Sequence, residues 1–286
     1  MPKYLITGGT GNIGKYVVQE LLAMNKDVKV AVRDLQQATN ICNDPKAKFV
    51  KFDFLDSATF AEALDEVGYI FLVRPPQLAN PQKDMLPFLK AAKDKGIQKI
   101  VFISLLGVEQ NPVVPHRKIE NIIQKLEIPY VFLRPSFFMQ NLNTNHQEEI
   151  QCRNEIYIPA GKAKTSFIDT RDIARAAAVT LTEKQYRNQG ITLTGKTAID
   201  YYEIADIMTN VLGRKITYKN PSLLAFRTDR INRGAPKEFA NIMTLLYLMT
   251  KLGTAKSTTK DLEKIIGREP ILFEKYTIDH QTYWMR

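Results

Sequence analysis

Near its start the chain passes from an apolar β-type run, Tyr4, Leu5 and Ile6, through Thr7-Gly8-Gly9-Thr10-Gly11-Asn12-Ile13-Gly14 into a helical pattern with Ile13, Val17, Leu21 and Leu22 on one face. No other stretch restricts the possible folds as strongly. A strand, a glycine turn and an amphipathic helix, in that order, bring backbone N–H groups and the positive end of a helix dipole to one point, where a phosphate can sit. Glycine serves three needs there: a tight turn with positive φ, close approach of backbone to a pyrophosphate, and tight packing of helix on strand. Gly8, Gly11 and Gly14 fill those positions, and Thr10, Asn12 and Ile13 complete the turn. Dinucleotide binding is the function this stretch predicts.

The segments that follow keep the alternation going. Strands are expected at 28–32, 49–52, 69–73, 99–103 and 130–133, with helices at 57–66, 82–95 and 115–126 between them. Repeated strand–helix units predict an α/β protein with a doubly wound parallel sheet, a Rossmann arrangement. From about residue 143 the pattern loosens, although 165–195 holds an Ala-rich helix and a further strand at 190–194. The expected organisation is therefore an NAD(P)-binding domain over 1–150, with 165–195 contributing back to it. A smaller, mainly helical lobe is expected over 196–286, with helices at 201–212, 222–233, 236–252 and 256–266 and from 273 onward.

Composition narrows the function classes. Of the 286 residues 44% are hydrophobic and 24% charged, which describes a soluble globule, and no apolar run approaches the length of a membrane span. With a strand beginning almost at Met1, the expected location is cytoplasmic. Cys42 and Cys152 lie far apart without CxxC spacing, so neither a disulfide framework nor a zinc site is expected, and both read as buried or incidental. His146-Gln147-Glu148-Glu149 lacks metal-ligand spacing and His280 is isolated, so no metal is expected. Forty Lys and Arg against thirty Asp and Glu give a net charge of +10, but the basic residues are scattered. A solvated basic surface is expected rather than a nucleic-acid site.

Residues at the expected carboxyl edge of the sheet point to the cofactor. Arg33 follows the second strand, nineteen residues after Gly14, where such folds place the group that meets the adenosine ribose. A guanidinium there clamps a 2′-phosphate and favours NADP, whereas the neighbouring Asp34 could serve the 2′-hydroxyl of NAD. Asp53 and Phe54, after the third strand, are expected to meet the adenine, with Asp56 capping the next helix. Arg74-Pro75-Pro76 closes the fourth strand with a stiff loop expected beside the nicotinamide ribose, and Ser104 ends the fifth.

The Thr7-Gly8-x-x-Gly11-x-x-Gly14 turn resembles that of extended and atypical short-chain dehydrogenases. Three further segments, His116-Arg117-Lys118-Ile119-Glu120, Leu133 to Leu142 and Phe167 to Ala174, are similar to the NmrA-like branch, and the likeness spans roughly residues 3 to 220. The resemblance implies an NAD(P)-binding Rossmann domain whose small C-terminal lobe closes over the nicotinamide. The branch includes NADPH-dependent quinone reductases and also dinucleotide-binding sensors without known turnover, so the fold alone does not name the reaction.

Short-chain dehydrogenases protonate a carbonyl through a Tyr-x-x-x-Lys pair. None occurs between 104 and 125, where His116 and Glu120 stand in roughly its place. His116, expected to titrate near neutrality, could donate a proton, contact cofactor or substrate, or be structural. Glu120 could orient His116 or pair with Arg117, and a solvated helix charge is its plainer reading. Ser104 could bond the nicotinamide ribose or the substrate. Pro135, Phe138 and Asn141 are expected to wall the nicotinamide, with Phe137 or Phe138 as core. Asp169 and Asp172 read as structural, Arg227, Arg230 and Arg233 as a solvated helix face, and Met243 to Met249 as lobe core or an apolar lid. The expected function is NADPH-dependent hydride transfer to a quinone or similar small aromatic electrophile. The alternative is a non-catalytic redox sensor acting through a protein partner.

Overall fold

A computed structural model describes residues 3–38 and 46–285, which leaves Cys42 outside the described residues. Nine strands follow in chain order: β1 (Lys3–Ile6), β2 (Val28–Val32), β3 (Ala47–Lys51), β4 (Val67–Leu72), β5 (Lys99–Ile103), β6 (Tyr130–Pro135), β7 (Glu155–Tyr157), β8 (Gln189–Leu193) and β9 (Thr217–Lys219). Seven of them form one sheet in the order β3-β2-β1-β4-β5-β6-β8, and every pairing in it is parallel. This is the doubly wound Rossmann topology, with β8 added beyond β6.

The chain divides into two compact units. The first comprises Met1–Pro135, Thr170–Leu193 and Asp261–Arg268; the second comprises Ser136–Asp169, Thr194–Lys260 and Glu269–Arg286. The first unit therefore ends at Pro135 rather than near 150, and it takes back a short helix at 261–266 as well as the segment around 170–193.

In the first unit the sheet carries helices α1 (Gly14–Ala23), α2 (Leu35–Ala38), α3 (Phe60–Leu64), α4 (Pro81–Asp84), α5 (Leu86–Asp94), α6 (Pro115–Lys125), α8 (Thr170–Thr182) and α12 (Asp261–Ile266). Strands β2 and β5 are buried along their whole length, as a parallel sheet covered on both faces requires. Phe52, Phe54, Phe60 and Phe88 form a knot of mainly edge-to-face rings in the core of one face. The helix expected over 82–95 is broken in two, because Pro87 in the first turn of α5 cannot continue the hydrogen bonding of α4. Two strand lysines cap helices: Lys29 donates to Glu62 O and Asp65 O at the end of α3, and Lys99 donates to Thr180 O and Glu183 O at the end of α8.

The second unit holds α7 (Gln147–Arg153), α9 (Tyr201–Leu212), α10 (Leu223–Asn232), α11 (Lys237–Lys251) and α13 (Phe273–Asp279), with β7 and β9 paired in parallel. Its core is aromatic, with Tyr201, Phe226, Tyr276 and Trp284 all fully buried. Asp200 and Glu203 form a reciprocal capping box at the start of α9, which explains why sequence pattern alone places that helix correctly. The β7–β9 pair was not expected: three-residue strands are too short to show a period of two.

Candidate functional site

The reversal of strand order in the main sheet lies between β1 and β4, and that crevice is where open α/β sheets bind ligands. Thr7 fixes its walls. Its hydroxyl donates to Phe71 O at 3.1 Å and accepts from Val73 N–H at 2.9 Å, tying the end of β1 to the end of β4. Beyond it Gly8 turns with φ of +63°, and Gly11 N–H closes on Gly8 O at 2.9 Å. A Cβ on Gly14 would stand 2.1 Å from Gly8 O, and one on Gly9 would stand 2.4 Å from a methyl of Val30. Gly9 is thus a helix-and-strand packing residue that the motif spacing does not mark. Helix α1 starts after Ile13 with no side-chain cap and no acidic residue in its first turn, which leaves its positive end to a ligand. Thr10 and Asn12 are exposed along the same turn.

Arg33 is exposed just past β2, while the Asp34 carboxylate accepts from Gln36 N–H at 2.9 Å. Asp34 is therefore engaged in starting α2. Lys51, exposed at the end of β3, pairs in register with Val32, the residue before Arg33. Sequence reasoning missed Lys51 because register between strands is a tertiary property. Asp53 spends one carboxylate oxygen on Leu55 N–H at 2.9 Å, and Asp56 caps the next turn through Ala58 N–H, as expected. The Phe54 ring is 7% exposed and packs edge-on against Phe52 and Phe88 in the aromatic core.

Arg74 holds its own loop. Its Nη1 donates to the carbonyls of Pro75, Pro76 and Leu78 at 3.1, 2.9 and 3.0 Å, which makes it the internal clamp of the proline loop. Its Nε is buried without a partner, and burial lowers its pKa. Ser104 is 1% exposed at the end of β5, and its hydroxyl also has no partner. Such an orphaned hydroxyl at a ligand-binding sheet edge suits a cofactor or substrate contact. Pro135 ends β6 and accepts from Leu106 N–H at 3.1 Å, which holds the loop after Ser104.

His116 lies in the first turn of α6, stacked on Phe102 with ring centres 5.9 Å apart. Burial, helped by the Arg74 guanidinium, pushes its pKa down to about 3. The expectation that it titrates near neutrality is thereby overturned: the imidazole is neutral at physiological pH and offers a ring N–H rather than an acidic imidazolium. Glu120, one turn along, is no solvated charge. It is 0% exposed and accepts from Arg117 Nη1 at 2.9 Å, Arg134 Nε at 3.1 Å and Arg134 Nη2 at 2.9 Å. The guanidinium of Arg134 occupies the space a side chain at Gly190 would need, a Cβ there being 2.7 Å from Cζ. In the same unit Asp172 pairs with Arg268 at 2.6 Å, in keeping with its structural reading.

Within the second unit, Phe138 makes a parallel bridge to Ile168 and Asn141 N–H donates to Phe138 O. Phe137 packs against the aromatic core, and Asp169 accepts from Gln140 Nε2 at 2.9 Å. The arginines expected on a solvated face differ from one another. Arg230 is 6% exposed and donates to Glu149 at 2.7 Å, Arg233 reaches Glu149 and Asp229, and Arg227 donates to Asn241. His146, fully buried, bonds Glu149 through Nδ1 at 2.8 Å and the Tyr247 hydroxyl through Nε2 at 2.7 Å. Burial lowers its pKa, against the pull of Glu149. Cys152 is exposed rather than buried. No helix among the described residues is long and apolar enough to cross a membrane.

Together the β3-β2-β1-β4-β5-β6 order, the glycine turn at the switch point and the uncapped α1 define a dinucleotide-binding Rossmann protein. The chain belongs to the NmrA-like family, whose model matches residues 2–278. It is 30% identical to the NAD(P)H azoreductase of Xenophilus azovorans over 281 residues, covering 96% of this chain and 97% of that protein. It is also 30% identical to the oxidoreductase YesF of Bacillus subtilis over 284 residues, covering 98% and 96%. Among solved structures, the triphenylmethane reductase of Citrobacter sp. complexed with NADP(H) superposes with a TM-score of 0.86 at 25% identity, over 97% of this chain and 99% of that one.

Proposed function

We propose that the protein is an NADPH-dependent oxidoreductase that reduces a quinone or similar flat aromatic electrophile. The observation that carries the cofactor preference is the arrangement beside the glycine turn. Arg33 and Lys51, both exposed at the ends of neighbouring strands, are the cations offered to a 2′-phosphate, while the Asp34 carboxylate accepts from Gln36 N–H. The relatives fit this reading, since one is an NAD(P)H azoreductase and another was solved with NADP(H).

NADPH, when bound, supplies the hydride. The protein's own part is positioning. Gly8 to Gly14 receive the pyrophosphate, Arg74 keeps the proline loop in one shape, and the unpartnered Ser104 hydroxyl is left for the nicotinamide ribose or the acceptor. His116, neutral and held on Phe102, donates a ring N–H to the acceptor's oxygen or to the cofactor. A quinone suits such a site because its reduction gives a stabilised hydroquinone anion that water can protonate, so no Tyr-x-x-x-Lys acid is required.

The test is to mix the protein with NADPH or NADH and a panel of quinones and azo dyes, following loss of reduced-nicotinamide absorbance. Acceptor-dependent oxidation, faster with NADPH, is expected. Absence of acceptor-dependent oxidation with every compound would overturn the assignment. Calorimetric titration of Arg33→Ala isolates the cofactor claim: NADP binding should weaken by about 1.5–3 kcal/mol, as for hydrogen bonds to a charged group, and NAD binding much less. Equal losses would mean that Arg33 does not read the 2′-phosphate.

A further inference from the structure

Helix α11 carries an apolar face that its own unit leaves uncovered. Ala240, Met243, Tyr247 and Thr250 turn inward and are buried. Away from them, Phe239, Ile242, Leu245, Leu246 and Met249, with Leu252 just past the helix end, are between 41% and 69% exposed. At 3.6 residues per turn these six fall within an arc of about 140°, forming one continuous stripe along about 20 Å of helix. Single exposed leucines are ordinary, whereas six large apolar side chains on one face mark an interaction surface. Of the run Met243 to Met249, expected as lobe core or an apolar lid, Met243 and Tyr247 are buried while Leu245, Leu246 and Met249 are exposed.

We propose that this stripe is where two copies of the chain pair, α11 against α11 in antiparallel fashion about a two-fold axis. Area is the first argument. With about half of each side chain open and about 200 Å² for a large apolar side chain, each copy offers on the order of 600 Å² from the stripe alone. Two copies together then bury on the order of 1,200 Å², the lower end of specific interfaces. Charge is the second. The chain carries +10, yet no Lys or Arg lies within the arc, so two copies can meet here without opposing cations. Its one charge is Glu238, at the N-terminal end. Antiparallel pairing keeps the two Glu238 side chains roughly 20 Å apart, given a rise of 1.5 Å per residue, whereas parallel pairing would set them face to face. A straight apolar helix face is also self-complementary under a two-fold operation. A lipid surface is disfavoured, because membrane-lying helices border their apolar face with Lys and Arg, and Asn241 and Leu248 stand at one border of this one.

Sedimentation velocity over low to high micromolar protein tests the pairing. A dimer is expected, weakened at least 100-fold by Leu245→Glu, with far-UV dichroism and NADP binding unchanged. Val113→Glu, at a 73% exposed position in the other unit, should leave it intact. Geometry is read by cross-linking in a Cys42→Ser/Cys152→Ser background. An antiparallel pair centred between Leu245 and Leu246 brings Ile242 of one copy to Met249 of the other. Mixed Ile242→Cys and Met249→Cys proteins should therefore oxidise to a heterodimer, and neither alone should cross-link. A wild type that stays monomeric throughout, a dimer indifferent to Leu245→Glu, self-linking of the single variants, or flotation of a wild-type monomer with anionic phospholipid vesicles would each overturn the proposal.

Discussion

Removing the Glu120 carboxylate tests the account of the α6–β6 junction most directly. Glu120 is fully buried and takes three charge-assisted hydrogen bonds, two from Arg134 and one from Arg117. In Glu120→Ala the Arg134 guanidinium, 16% exposed, keeps only Glu109 at 3.3 Å, itself 44% exposed. Breaking a buried pair by deleting one partner costs about 3–5 kcal/mol. The solvent access left to Arg117 and Arg134 argues for the lower end, about 3 kcal/mol. Urea unfolding followed by far-UV dichroism measures it, with Arg134→Met and the Glu120→Ala/Arg134→Met double variant completing a cycle. The double variant should lose clearly less than the sum of Glu120→Ala and Arg134→Met, because it leaves no buried charge alone. A loss under 1 kcal/mol for Glu120→Ala, or additive losses, would refute the buried-pair account.

Three further outcomes follow from the same geometry. Gly14→Ala drives a Cβ to 2.1 Å from Gly8 O, so calorimetry should show dinucleotide affinity down more than tenfold; retained affinity would mean that the turn tolerates the shift. His116 has a folded pKa of about 3, below its unfolded value, so the unfolded chain binds the extra proton and stability present above about pH 6.5 is lost as pH falls toward 3. Allowing for its partial solvent access, about 1.5 kcal/mol should go between pH 7 and pH 5, and His116→Phe should flatten that slope; an unchanged slope would count against a neutral His116. His146, also lowered by burial, acts with the same sign, so His146→Gln should reduce the remaining slope in the same urea series.

Much of this molecule can be read from its sequence because the signals are local. The glycine turn, strands β2 and β5, and helix α9 with its capping box are each specified by neighbours a few residues apart, and their bounds match expectation. Arg33 was legible for the same reason, since its distance along the chain from Gly14 fixes its place past β2. What failed were statements about environment. Glu120 and Arg230 look like solvated helix charges until Arg134 and Glu149 arrive from 14 and 81 residues away.

The sequence by itself determined the glycine turn from Gly8 to Gly14, because backbone conformation and the absence of a Cβ are properties of the residues themselves. Only the tertiary structure decided which charges are buried, that His116 is neutral, that Lys51 pairs in register with Val32, and which face of α11 lies open. Those properties depend on desolvation and on strand register, and both exist only once distant segments have packed together.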